Sequence, residues 1–157
     1  MQKIRPCLWL DNNVQEVIDF YSSVFKSTKV LSISYYPADM PNMGGKILVA
    51  EMEIENQEFM LLNAGGQFKF NEAISFSVDA NTQEEIDYYW DALLAGGGQK
   101  GQCGWLKDKF GLSWQISPSM LGELFRDKDT AKAHRAMDAM MKMVKINIKE
   151  IEEAVKG

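Results

Sequence analysis

The sequence predicts an α+β protein of two βαβββ modules followed by a C-terminal helical tail, and three observations predict it. The chain repeats itself: Leu8-Trp9-Leu10-Asp11 leads to Ile18-Asp19-Phe20-Tyr21, and Phe76-Ser77-Val78-Asp79 leads to Ile86-Asp87-Tyr88-Tyr89. Asp79 follows Asp11 by 68 positions, and Ile86 and Asp87 follow Ile18 and Asp19 by the same 68. Self-similarity at a fixed offset marks a duplicated structural unit. In each copy the apolar spacing then changes from strand-like to helical. Turn-forming residues cut the rest of each copy into further short strands.

The elements follow in order. Ile4 to Leu10 reads as a strand. Asn13 and Glu16 have the spacing of a capping box, and Val14, Val17, Ile18, Tyr21, Val24 and Phe25 make one apolar helical stripe after it. Lys29 to Tyr36 alternates as a strand, and Pro37 to Gly45 is a loop. Lys46 to Glu55 and Glu58 to Asn63 form a hairpin about Asn56-Gln57. In the second module Ala73 to Val78 is a strand, and Thr82 with Glu85 is another capping box. Ile86, Tyr89, Trp90, Leu93 and Leu94 form the buried stripe of that helix, which Gly96-Gly97-Gly98 ends. Three short strands follow: Gln99 to Cys103, Trp105 to Asp108 and Leu112 to Ser117. In the tail, Ser119 caps a turn through Phe125, and Asp129 or Thr130 opens a helix bearing Met137, Met141 and Val144. Asn147 and Glu150 form a third capping box, which predicts a break and a last helix to Val155; one continuous helix is the alternative.

At 157 residues the chain is expected to be a single domain, 1–157, with module one at 1–66, module two at 67–118 and the tail at 119–157. A composition of 46% apolar and 25% charged residues supplies an ordinary core. A net charge of -5 argues against nucleic acid, which needs clustered Lys and Arg. No apolar run approaches the ~18–20 residues of a membrane span. The opening Met1-Gln2-Lys3-Ile4-Arg5-Pro6 lacks a signal peptide's apolar core. Cys7 and Cys103 are too few for a disulfide scaffold, so a reduced, cytoplasmic protein is expected.

Four segments carry a family resemblance: Ile4-Arg5-Pro6-Cys7-Leu8-Trp9-Leu10-Asp11, Phe68 to Phe76, Cys103 to Ile116, and Lys142-Met143-Val144-Lys145-Ile146. With the two modules they resemble the vicinal oxygen chelate superfamily of glyoxalase I, bleomycin-resistance proteins and extradiol dioxygenases. The resemblance is to its PhnB-like branch, labelled 3-demethylubiquinone-9 3-methyltransferase domains. It implies that each module curls its mixed sheet into a half-barrel cup with the helix on the convex side, and that the protein is a homodimer. It also implies four ligand positions in metal-binding members, which fall here on Arg5, Asn63, Ala73 and Gln115. Arg and Ala offer a transition metal nothing, and Asn and Gln offer only neutral carbonyls. Glu72 adjoins Ala73, but neighbouring strand residues face opposite ways unless a bulge re-aims one. The one histidine, His134, lies in the tail. A cup without metal or other cofactor is expected.

If Arg5 faces the cup, alternation brings Cys7 and Trp9 with it. Ala73 brings Ser75 and Ser77, and Gln115 brings Ser113 and Ser117. Phe68 and Phe70 would close over the cup, or with Trp9 simply fill core. Cys103 follows a Gly-rich segment near Lys100 and Lys107, which suits either a reactive or an idle thiol. No histidine pairs with it, and no catalytic residue is assigned. The glycine runs at 44–45 and 96–98 lead into a strand and out of a helix, so neither is the strand-to-helix turn that cradles a nucleotide-type cofactor. The Met-rich tail suits packing on its own domain, a dimer contact or a partner surface. The expected function is small-molecule binding without a catalytic metal, through Arg5, Cys7, Trp9, Asn63, Phe68, Phe70, Ser75, Ser77, Cys103 and Gln115. The alternative is an enzyme: a metal-assisted lyase or isomerase using Glu72 and Gln115, a reaction steered by Arg5 and Cys103, or the methyltransferase of the family label.

Overall fold

The computed structural model describes residues 2–157; Met1, which opens the expected first module, lies outside them. The fold is α+β, and the chain divides between Lys69 and Phe70 into two compact units. The first holds β1 (Cys7–Leu10), α1 (Val14–Val24), β2 (Thr28–Tyr35), β3 (Ile47–Ile54) and β4 (Gln57–Asn63). The second holds β5 (Ser75–Asp79), α2 (Gln83–Leu94), β6 (Gln99–Lys100), β7 (Trp105–Lys107) and β8 (Ser113–Ser117), then α3 (Ser119–Phe125), α4 (Thr130–Met140) and α5 (Ile148–Lys156). The sheets run β1-β4-β3-β2 and β5-β8-β7-β6, each with one parallel pair, β1 with β4 and β5 with β8. The duplication is therefore one of topology as well as of sequence.

Module one closes because α1 presents Val17 and Tyr21 to Ala50, Met52 and Leu61 on one face of the sheet, all essentially without exposure. Burying side chains of this size is worth about 1.5–3 kcal/mol each. In module two, Ile86, Trp90 and Leu93 of α2 join Leu106, Trp114 and Ile116 in the same way. Buried Asp108 sits among them, accepting from the N–H groups of Phe110 (2.9 Å) and Leu112 (3.0 Å) and from Trp114 Nε1 (2.9 Å).

The tail belongs to this second core. Ile146 and Ile151 are fully buried. The N–H groups of Cys103 and Gly104 donate to the carbonyls of Met143 and Val144, both at 2.8 Å. Gln83, in the first turn of α2, donates to the Ile146 carbonyl at 3.2 Å and accepts from the Ile148 N–H at 3.0 Å. The break expected at Asn147 is present, with Asn147 accepting from the Glu150 N–H at 3.2 Å.

Several boundaries differ from the sequence reading for identifiable reasons. β1 starts after Pro6, which has no N–H for a ladder. The hairpin turn sits one residue early, at Glu55 and Asn56, whose φ values of 46° and 66° are those of a type I′ turn. β6 stops at Lys100, since Cys103 and Gly104 take left-handed φ values of 57° and 81°. The Thr82 capping box forms in full, whereas Asn13 makes no side-chain cap and instead accepts from the Asp11 N–H. Pro118, not Ser119, occupies the N-cap of α3.

Candidate functional site

Strand alternation decides what each sheet shows on the face away from its helix. On β1, Leu8 and Leu10 point into the core and leave Cys7 and Trp9 on the other side, beside their register partners Met60 and Leu62. Asn63 pairs with Leu10 and so lies on the core side, away from Trp9. There its amide donates to the Ile47 carbonyl (2.8 Å) and accepts from the Asn12 N–H (2.9 Å), and its own carbonyl takes the Tyr36 hydroxyl (2.6 Å). A shift of one residue exchanges faces, and the carry-over from the family pattern landed one position past Leu62.

Trp9 is anchored by its Nε1–H, which donates to the Gly65 carbonyl at 2.7 Å, and Phe68 meets it edge-on at 4.8 Å. Phe70 begins the second unit and is half-buried. Arg5 is already committed: Nη1 lies 2.7 Å from Glu51 and 3.5 Å from buried Glu58. Ser32 donates to the second oxygen of Glu51 at 2.8 Å. The Arg5 hydrogen bond, and then that of Ser32, holds the Glu51 carboxyl below its usual range. Partial burial pushes the Cys7 thiol up, which disfavours the nucleophilic thiolate.

The matching face of module two is built from hydroxyls and an amide. Ser75, Ser77 and Asp79 of β5 pair in register with Ser113, Gln115 and Ser117 of β8, and Trp105 pairs with Gln115. Gln115 Nε2 donates to Ser75 Oγ at 2.8 Å, joining two of the expected site residues. Glu72 forms an ion pair with Lys107, whose hydrogen bond holds the Glu72 carboxyl below its usual range.

Between this face and the tail lies a cavity of about 490 Å³. Asp79, Trp105, Gln115 and Ser117 line it from the sheet, Cys103 from the preceding turn, and Leu121, Gly122, Phe125, Arg126 and Met140 from α3, α4 and the α3 C-cap. A smaller cavity of about 150 Å³ shares Trp105 and reaches Ser113, a buried residue whose hydroxyl finds no partner. The Cys103 sulfur sits 3.8 Å from that of Met141.

Of the expected residues, then, Cys103, Gln115, Ser75 and Ser77 share the module-two face or its cavity. Arg5, Cys7, Trp9 and Phe68 belong to module one. Ser117, reached from Gln115 by alternation, lines the cavity as well; Asp79 was legible by extending the Ser75–Ser77 alternation one step further, and Trp105 enters as the register partner of Gln115. Leu121, Phe125, Arg126 and Met140 carry no signal, because nothing in the sequence says where the tail docks.

The ligand set implied by the family resemblance does not fit a transition metal. Arg5 is a cation held between carboxylates, Ala73 has no donor, Gln115 is bonded to Ser75, and Asn63 lies on the other face. Exposed His134 sits on α4. Among the described residues no three His, Cys, Asp or Glu side chains gather as a metal site. Zinc-type sites need imidazole, thiolate or carboxylate donors together.

A family model described as 3-demethylubiquinone-9 3-methyltransferase matches residues 2–117. The PhnB protein of Bacillus cereus, described as a 3-demethylubiquinone-9 3-methyltransferase, shares 33% identity over 73% of this chain and 98% of its own, with a TM-score of 0.66. Protein PA1353 of Pseudomonas aeruginosa has 19% identity, covering 75% of this chain and 98% of its own, with a TM-score of 0.58. The fosfomycin resistance protein FosX of Listeria monocytogenes has 13% identity, covering 80% of this chain and 98% of its own, with a TM-score of 0.57. The last two show likeness of fold. No curated protein matches. The family match stops at Ser117, so α3, α4 and α5 lie beyond it.

Proposed function

The chain belongs to the 3-demethylubiquinone-9 3-methyltransferase family, the PhnB-like branch of the vicinal oxygen chelate superfamily, and from that membership we propose that it binds a small molecule without a catalytic metal. The observation that carries the reading is the cavity of about 490 Å³ in module two, polar on its sheet side and largely apolar on its tail side. Volumes of 300–1,000 Å³ with a few placed polar groups are typical of small-molecule sites. Gln115, oriented by Ser75, supplies an amide, and Cys103 and Trp105 supply the adjoining wall. On module one, the Trp9–Phe68 pair and Cys7 form a separate apolar surface for a ligand. Arg5 serves there by holding Glu51 and Glu58 in place.

The metal-assisted alternative is weakened by the Lys107 partner of Glu72. Methyl transfer finds no cradle in the glycines at 96–98, which close α2 through a Gly98 N–H to Leu94 carbonyl bond of 2.9 Å. A homodimer is part of the proposal, supported by the exposed Val30, Leu31, Ile33 and Tyr35 of edge strand β2, a surface that a second copy would cover. Native mass spectrometry and metal analysis of protein purified without chelator test the reading. A retained organic ligand, lost from Gln115→Ala, is expected. A stoichiometric transition metal lost from the same variant would overturn it.

A further inference from the structure

Several charged side chains of module two find partners: Lys107 meets Glu72, Lys132 meets Asp127 and Lys145 meets Asp87. Two charges lining the cavity of about 490 Å³ do not. Asp79 closes β5 on the sheet side, and Arg126 follows α3 on the tail side. Among the described residues neither side chain has a hydrogen bond or ion pair. They also stay unpaired with each other although they have opposite sign and share one void. The guanidinium of Arg126 is laid back along its own helix beside Gly122, where a Cβ would lie 3.5 Å from Nη1, an ordinary packing distance. Phe125, Leu121 and Met140 supply apolar surface in the same cavity.

We propose that this cavity takes a zwitterion: a small molecule with an anionic group for Arg126, an ammonium group for Asp79, and an apolar or aromatic body against Phe125, Leu121 and Met140. The inference rests on the reading of the cavity as a binding site and names its ligand class. The physical reason is desolvation. A neutral ligand filling the cavity removes water from the cavity side of both charges and gives nothing in return, and a singly charged ligand answers only one of them. A zwitterion answers both, and a planar guanidinium takes a carboxylate or phosphate through two parallel bonds. Arg126 and the apolar wall lie beyond residue 117, where the family match ends, so the preference belongs to this chain's tail.

Isothermal titration of the full chain tests this with two zwitterions, phenylalanine and 4-(aminomethyl)benzoate. Each is compared with its N-acetyl derivative, which keeps the anion, and its amide, which keeps the cation. At least one zwitterion is expected to bind about tenfold or more tighter than both of its derivatives. Asp79→Asn should abolish the advantage over the N-acetyl form, and Arg126→Gln the advantage over the amide. Both residues are exposed, and circular dichroism with thermal melting verifies that the variants fold. Equal binding of the capped forms, a preference that survives both substitutions, or no binding of either zwitterion overturns the proposal. Should it fail in any of these ways while wild-type protein retains an organic ligand that Gln115→Ala loses, the binding reading survives without it. Failure of both removes the binding reading as well.

Discussion

Modules one and two share strand order, helix position and a strand-ending acid, yet their outer faces have gone opposite ways. Module one satisfies itself: Arg5 is held by Glu51 and Glu58, Ser32 completes the set, and Trp9 is tied to Gly65. Its acid, Asp11, is crowded by Gly66, where a Cβ would come within 2.5 Å of the carboxylate. Module two leaves hydroxyls, an amide and the corresponding acid, Asp79, facing a cavity roofed by helices that module one lacks. The face packed on the helix must stay apolar in both copies or the sheet has nothing to close on. The opposite face carries no such obligation. Duplication therefore repeats what folds the chain and leaves the opposite face free to differ.

The largest effect that would sharpen this contrast is on the core of module two, which alone extends into a tail. Ile151→Ala removes a fully buried side chain from α5 and is expected to cost about 2–4 kcal/mol, measured as a lowered urea midpoint at unchanged slope. A change within a few tenths would mean that the tail is not part of that core. A middling effect separates the two helix starts. Thr82→Ala should lose about 1 kcal/mol, because it ends a reciprocal box with Glu85, while Asn13→Ala should lose clearly less, its side chain capping no helical N–H. Equal losses in thermal or urea melts would erase that distinction between the repeats.

The smallest effect is the pH response of module one's ion pairs. The Glu51 carboxyl is held below its ordinary value of 4.5 in the folded chain. Its contribution is thus present above that value and lost as the pH falls through the lower, folded one. Melting temperatures followed from pH 6 to about pH 3 should fall slightly less steeply for Glu51→Gln than for the wild type. The pair is partly solvent-facing, so the difference is expected to be small. Parallel curves would show that Arg5 gains nothing from Glu51.

The repeat was readable because the core writes its period into the sequence: Leu8 and Leu10, and Val17 with Tyr21, are where they are for the sake of burial. Face assignment was readable only as well as register, and one residue moved Asn63 from a ligand position to a loop clamp. A capping pattern states which atoms are available but not whether they meet, and Asn13 turned to Asp11 instead. Arg126 was not readable at all. It shares a cavity with Asp79, Gln115 and Ser117, a tertiary fact that no local pattern encodes.

The second module and the tail are shaped for each other. Gly104 accepts no side chain, since a Cβ there would lie 2.7 Å from the Ile116 carbonyl oxygen and 3.0 Å from Ile146. Gln83 spends both ends of its amide on the segment around Ile146. Residues inside the family-matched region are thus committed to residues outside it. A stop codon after Ser117 would not leave a self-sufficient pair of modules. It would leave a domain with a bare apolar seat and two positions shaped for something missing.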